Sequence, residues 1–194
     1  MLATLERLHL ATNTLVIVTS DNGGMMNDGY ATNDEAAASG HRCNGPLRGF
    51  KGSLWEGGHR EPFIARWPGK IRPGSVSGQL IGLVDMLATF CAIAGQPVPA
   101  GAGPDSYNVL PAFLGGKSPR DHLVVQNNGV KQQALRQGAW KFIPSPPGQG
   151  KGVGLFELTT DLGETNNLAA AQPERVTAMA ARLERLREES QSRP

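Results

Sequence analysis

Apolar positions in this chain come in short runs separated by glycine and proline. Leu2, Leu5 and Leu8 recur at i, i+3 spacing and predict a helix ending near Leu10. No capping residue precedes that helix, so the chain reads as beginning inside a larger domain. After a turn at Thr12-Asn13, Leu15-Val16-Ile17-Val18 is apolar throughout, the pattern of a central strand in a parallel sheet covered on both faces. Phe63 to Trp67 predicts a second strand, stopped by Pro68-Gly69. Val84 to Ala94 predicts a helix with Leu87, Phe90, Cys91 and Ala94 along its apolar side. Gly95 would end that helix, and Asp85 near its start would favour the free amides there.

The pattern then changes. A proline- and glycine-rich connection over about 96–119 leads to strand candidates at Leu123-Val124-Val125, Gln133 to Arg136, Trp140 to Ile143 and Leu155 to Leu158. Gly138 sits where a hairpin turn is needed, which predicts a small antiparallel sheet. Pro173 to Glu188 predicts a closing helix, with Val176, Met179, Ala180, Leu183 and Leu186 as its stripe. The expected organisation is an α/β part over 1–119 and a smaller sheet-plus-helix part over 120–194.

Composition narrows the function. The 25 glycines and 14 prolines among 194 residues have no regular period and favour long loops. A net charge of +2 from 19 basic and 17 acidic residues, without a basic stripe, argues against nucleic acid as a partner. Two cysteines, Cys43 and Cys91, are too few for a disulfide framework or a cysteine-based zinc site. No apolar run reaches the eighteen or so residues of a membrane span.

The chemistry concentrates after the first strand. Asp21 and Asn22 offer two hard oxygens to a cation such as calcium or magnesium, with Gly23-Gly24 giving the backbone freedom to aim both. The same four residues also suit an ordinary Asx-turn. Calcium takes about 6–8 oxygens, so this pair cannot be a whole site. Lys51, within Gly49-Phe50-Lys51-Gly52, could set a point charge against sulfate or phosphate, or simply face solvent. Arg48 and Arg60 compete for that role unless they pair with Glu56 or Glu61. His41 and His59 fall in the same neighbourhood and could touch substrate or support the loop. Trp55 reads as buried packing, and Cys91 as core. The nucleotide-binding glycine signatures are absent.

Thr14-Leu15-Val16-Ile17-Val18-Thr19-Ser20-Asp21-Asn22-Gly23 resembles the metal-binding strand of the sulfatase family. The run from Pro46 through Gly49-Phe50-Lys51-Gly52-Ser53-Leu54-Trp55-Glu56-Gly57-Gly58-His59 to Pro62 resembles its second signature. Trp67-Pro68-Gly69-Lys70, Trp140-Lys141 and Leu155 to Leu168 add to the likeness. The resemblance implies an alkaline-phosphatase-like sulfatase fold of class α/β. It is expected here as the carboxyl-terminal portion only, truncated at the N-terminus and bearing a small antiparallel sheet and closing helix.

It further implies that Asp21 and Asn22 ligate Ca2+, that Lys51 grips the sulfate, and that His59, where the family usually carries an apolar residue, bears on substrate preference. His9 stands where the family often has glycine, and histidine tolerates a left-handed backbone. The family's nucleophile is a formylglycine made within a Cys/Ser-x-Pro-x-Arg signature, expected upstream of Met1; Cys43 does not fit that signature. Activity is thus expected as calcium-assisted hydrolysis of a sulfated small molecule or polysaccharide, in a periplasmic or secreted parent enzyme, with this chain inactive alone. A phosphatase- or phosphodiesterase-like relative, or a catalytically dead binding protein, are the alternatives.

Overall fold

The computed structural model describes residues 1–25, 35, 38–129, 132–146, 148, 152–189 and 191–193. The loop expected over 25–48, with a helical turn at Ala36-Ala37-Ala38, lies largely outside the described residues, as does part of 144–154. The chain divides into two compact units, each discontinuous in sequence. The first takes Met1–Ser20, Pro62–Asp121 and Ser190–Pro194; the second takes Asp21–Glu61 and His122–Glu189.

In the first unit, helix α1 spans Leu2–Arg7. Its opening turn closes on Met1, whose carbonyl accepts from the Thr4 and Leu5 amides at 3.0 and 3.1 Å. The helix ends where His9 turns left-handed, at φ 57, as the histidine-for-glycine reading anticipates. Strand β1, Val16–Thr19, pairs antiparallel with β2, Phe63–Arg66, in a two-stranded sheet. The expectation of a parallel, doubly covered strand is therefore corrected. Val16 and Ile17 are half-buried, but Val18 is 55% exposed beside its partner Ile64 at 61%.

Helix α2, Met86–Ile93, also departs from its expected face. Ala88 and Thr89 are its buried residues, whereas Leu87 and Phe90 are more than 40% exposed and Cys91 is half-buried. Hydrogen bonds choose this face. Thr89 Oγ1 accepts from the Val109 amide at 3.0 Å, and the Ala88 amide donates to Ser106 Oγ at 2.9 Å. Asp85 does more than favour free amides: it accepts from the Gly82 and Tyr107 amides at 2.8 and 2.9 Å and from Arg120 Nε. A short helix α3, Leu110–Phe113, follows.

The second unit is built on a four-stranded antiparallel sheet in the order β3-β4-β5-β6: His122–Gln126, Gln133–Gln137, Trp140–Ile143 and Gly154–Glu157. Gly138, at φ 56, makes the β4–β5 turn. These strands and helix α4, Pro173–Glu188, lie where the periodicity predicts. The sheet is buried on both faces. Leu135, Phe142 and Leu155 meet Met179 and Leu183 of α4, while Ala134, Ile143 and Phe156 meet Leu54 and Trp55 of the lysine-bearing loop. The sheet expected to be a small appendage is the larger of the two among the described residues, and its unit also contains Asp21 to Glu61.

Candidate active site

Two glycine-rich segments interlock in the second unit. The Gly23 amide donates to Gly58 O at 3.1 Å, and the Lys51 amide donates to Gly24 O at 3.1 Å. Backbone meets backbone too closely for side chains: a Cβ on Gly23 would stand 1.8 Å from Gly57 O, and one on Gly57 would stand 2.3 Å from Gly49 O. The sequence thus holds the Asp21-Asn22 segment against the Lys51 loop through glycines that nothing larger can replace.

Asp21 and Lys51 are exposed and Asn22 is half-buried. Among the described residues, neither the Asp21 carboxylate nor the Lys51 ammonium has a hydrogen-bond or ion-pair partner. Asn22 Nδ2 donates to Gly23 O at 3.0 Å, which points the amide oxygen away from that carbonyl. The negative field is local: burial, then the charges of Asp21 and Glu56, raise the Glu61 carboxyl above its ordinary range. A carboxylate and an amide oxygen fit a hard cation. No cluster of three or more His, Cys, Asp or Glu suited to a metal occurs among the described residues, so the pair alone would make only part of a coordination sphere.

Beneath Lys51 the loop is anchored by buried charge. Glu56 is fully buried, and its Oε1 lies 3.0 Å from Lys141 Nζ while its Oε2 lies 3.1 Å from Arg136 Nη1 and 3.3 Å from Arg60 Nη1. Lys141 is itself fully buried in β5 and also lies 2.9 Å from Glu164 Oε1, an ion pair outside hydrogen-bond geometry. Glu164 Oε2 accepts from the Glu56 amide at 2.7 Å, and Arg48 Nη1 donates to the Glu164 carbonyl at 2.9 Å. The Arg48 guanidinium stacks 3.8 Å above the Trp55 ring, whose edge meets Phe156 at 5.6 Å.

One ammonium serving two carboxylates divides their behaviour. Burial pushes the Glu56 carboxyl up, but the charges of Lys141, His59 and Arg136 outweigh it and leave it below the usual range. Burial wins at Glu164, which has Lys141 as its nearby cation, and its carboxyl is raised. His59 Nε2 lies 3.3 Å from Leu54 O and 3.1 Å from Lys141 Nζ. Burial and then the Lys141 charge lower its pKa to about 4, so the ring is neutral at pH 7 and its Nε2 is committed inside the protein.

The structure therefore joins Gly23 and Gly24, which follow Asp21 and Asn22, to the Lys51 loop by backbone hydrogen bonds and sets His59 in the buried charged cluster. His41 and Cys43 are exposed. Trp55 is buried as expected, and Arg60 pairs with Glu56, but Arg48 turns to Glu164 instead. Sequence reasoning missed Asn44, Arg136, Lys141 and Glu164. A lysine between Trp140 and Phe142 in a strand buried on both faces was the available signal. Glu164 and Asn44 leave no such mark, since glutamate and asparagine in polar loops are commonplace.

Residues 1–96 match the family model described as Sulfatase. The chain is 36% identical over 193 residues to an N-acetylgalactosamine-6-O-sulfatase of Bacteroides thetaiotaomicron, covering 93% of this chain and 38% of that protein. It superposes with a TM-score of 0.86 and 34% identity on a solved chain from work on glycosaminoglycan metabolism by Bacteroides thetaiotaomicron, covering 97% of this chain and 42% of that one. A Pseudoalteromonas sulfatase matches with a TM-score of 0.73 and 26% identity over 99% of this chain and 41% of its own.

These matches correct the expectation of a carboxyl-terminal portion truncated at the N-terminus. The likeness takes in 97–99% of this chain in these structures, so it is not confined to a remnant of it. The chain spans about two fifths of the length of the relatives it matches.

Proposed function

We propose that this chain supplies the calcium-ligand pair and the sulfate grip of a sulfuric ester hydrolase acting on a sulfated sugar. The observation supporting this reading is the backbone interlock in which the Lys51 amide donates to Gly24 O, two residues beyond Asn22. Asp21 and Asn22 would hold Ca2+, which when bound orients the sulfate and offsets charge developing on its oxygens. Lys51 adds a positive charge to the same oxygens, and the loop glycines let the backbone approach them. His59 offers Nδ1 and its ring edge to substrate, Nε2 being engaged. The sugar class follows from the likeness to an N-acetylgalactosamine-6-O-sulfatase. No helix among the described residues is long and apolar enough to cross a membrane.

Calorimetric titration of the calcium-loaded chain with inorganic sulfate tests this directly. Lys51→Ala should weaken sulfate binding by about 10- to 100-fold, the scale of a lost charge-assisted hydrogen bond. Asp21→Ala should abolish the calcium dependence. Sulfate binding indifferent to both changes sinks the reading, and a preference for phosphate over sulfate moves it to phosphoryl chemistry.

A further inference from the structure

Asn44 belongs to neither signature segment, yet its side chain bonds to Gly24, directly after the first, and to Gly49 in the second. Its Oδ1 accepts from the Gly24 amide at 2.8 Å. Its Nδ2 donates to Gly49 O at 2.9 Å and to Gly24 O at 3.3 Å. Gly24 O is also the acceptor for the Lys51 amide, so one carbonyl receives both the clamp and the loop it holds. A Cβ on Gly24 would lie 2.6 Å from Asn44 Oδ1 and 2.7 Å from Cys43 Sγ, which shows how tightly the side chain is seated. Asn44 is held from its own side as well, its carbonyl accepting from the Leu47 amide at 3.0 Å.

The chemistry selects asparagine. Only a primary amide offers an acceptor and two donors in one plane. Aspartate would keep the bond from the Gly24 amide but set a carboxylate against two carbonyl oxygens. Alanine would lose all three bonds.

We propose that Asn44 is a positioning residue that couples the Asp21-Asn22 pair to Lys51, transmitting the set of the cation-binding segment to the sulfate-binding loop. The proposal rests on the calcium and sulfate roles assigned above. It adds that the two sites are energetically linked through this side chain, and such linkage is reciprocal. Calcium should tighten sulfate binding in the native chain by more than its charge alone provides, and that excess should vanish without the clamp.

The test measures the factor by which calcium tightens inorganic sulfate binding, together with hydrogen exchange at the Gly24 and Lys51 amides. It uses the native chain, Asn44→Ala and Asn44→Asp. In Asn44→Ala the calcium affinity should change little and the tightening factor should fall at least threefold. The Lys51 amide should exchange about tenfold faster at an unchanged urea midpoint. In Asn44→Asp the Gly24 amide should stay protected while the Lys51 amide does not, and this variant decides the matter if the alanine variant does not fold. An unchanged tightening factor with unchanged Lys51 exchange overturns the proposal. Should the native chain bind neither calcium nor sulfate, the parent reading falls, and Lys51 exchange alone decides whether Asn44 positions the loop.

Discussion

Lys141 shows what single residues contribute. An ammonium with no solvent exposure, bracketed by two carboxylates, is costly to bury and costlier to remove, because its loss strands charge in the interior. Lys141→Met should cost about 3–5 kcal/mol in urea denaturation. Lys141→Met combined with Glu56→Gln and Glu164→Gln should recover part of that loss. A single variant within about 1 kcal/mol of the native chain would show that water reaches the cluster. Asp21, Asn22 and Lys51 stand out in sequence as candidates because their neighbours are unusual: an apolar strand breaking into Gly-Gly, and a lysine among glycines. Their supports were not, because a buried ion network joins residues more than eighty positions apart and imposes no local period.

Among elements, those of the second unit followed the written pattern closely and those of the first less so. Trp140–Ile143 and Pro173–Glu188 begin and end as the periodicity predicts, since strand alternation and the helical stripe meet apolar surface on the faces they present. In β1 and α2 the run of apolar residues alone misleads. Val18 is exposed, and α2 is oriented by the hydroxyl of Thr89, which hydropathy does not register. The Glu56–Gly58 turn is set by close approach instead of hydrophobicity. Gly57→Ala should destabilise the chain by about 3 kcal/mol, since its Cβ would press on two carbonyl oxygens of rigid backbone. Chemical denaturation reads this, and a midpoint equal to that of the native chain would mean that the loop yields without cost. Sulfate affinity should fall with it, because Lys51 rides on the same loop.

For the molecule as a whole, the charged cluster sets a pH dependence. His59 has a folded pKa of about 4 against an ordinary 6.5. The unfolded chain takes up a proton there first, so the stability that His59 contributes is present above pH 6.5 and is lost as pH falls to about 4. The full size is about 3 kcal/mol. Glu56, whose carboxyl is lowered, extends the loss to more acid pH, whereas the raised Glu164 carboxyl opposes it as pH falls toward the unfolded value. Urea midpoints from pH 8 to 4 should decline for the native chain and decline less for His59→Asn. Parallel declines would remove His59 from the account.

Position 164 is pulled in two directions. Its backbone sits at φ 52, where glycine or asparagine would rest more easily, and the strain of holding another residue there is about 1 kcal/mol. Its carboxylate is nonetheless what receives the Glu56 amide and faces Lys141. Relaxing the turn and keeping the anchor are therefore incompatible at this site. A glycine would ease the local geometry while cutting the lysine-bearing loop adrift, so a substitution that looks benign by backbone criteria alone would be among the more damaging ones in the chain.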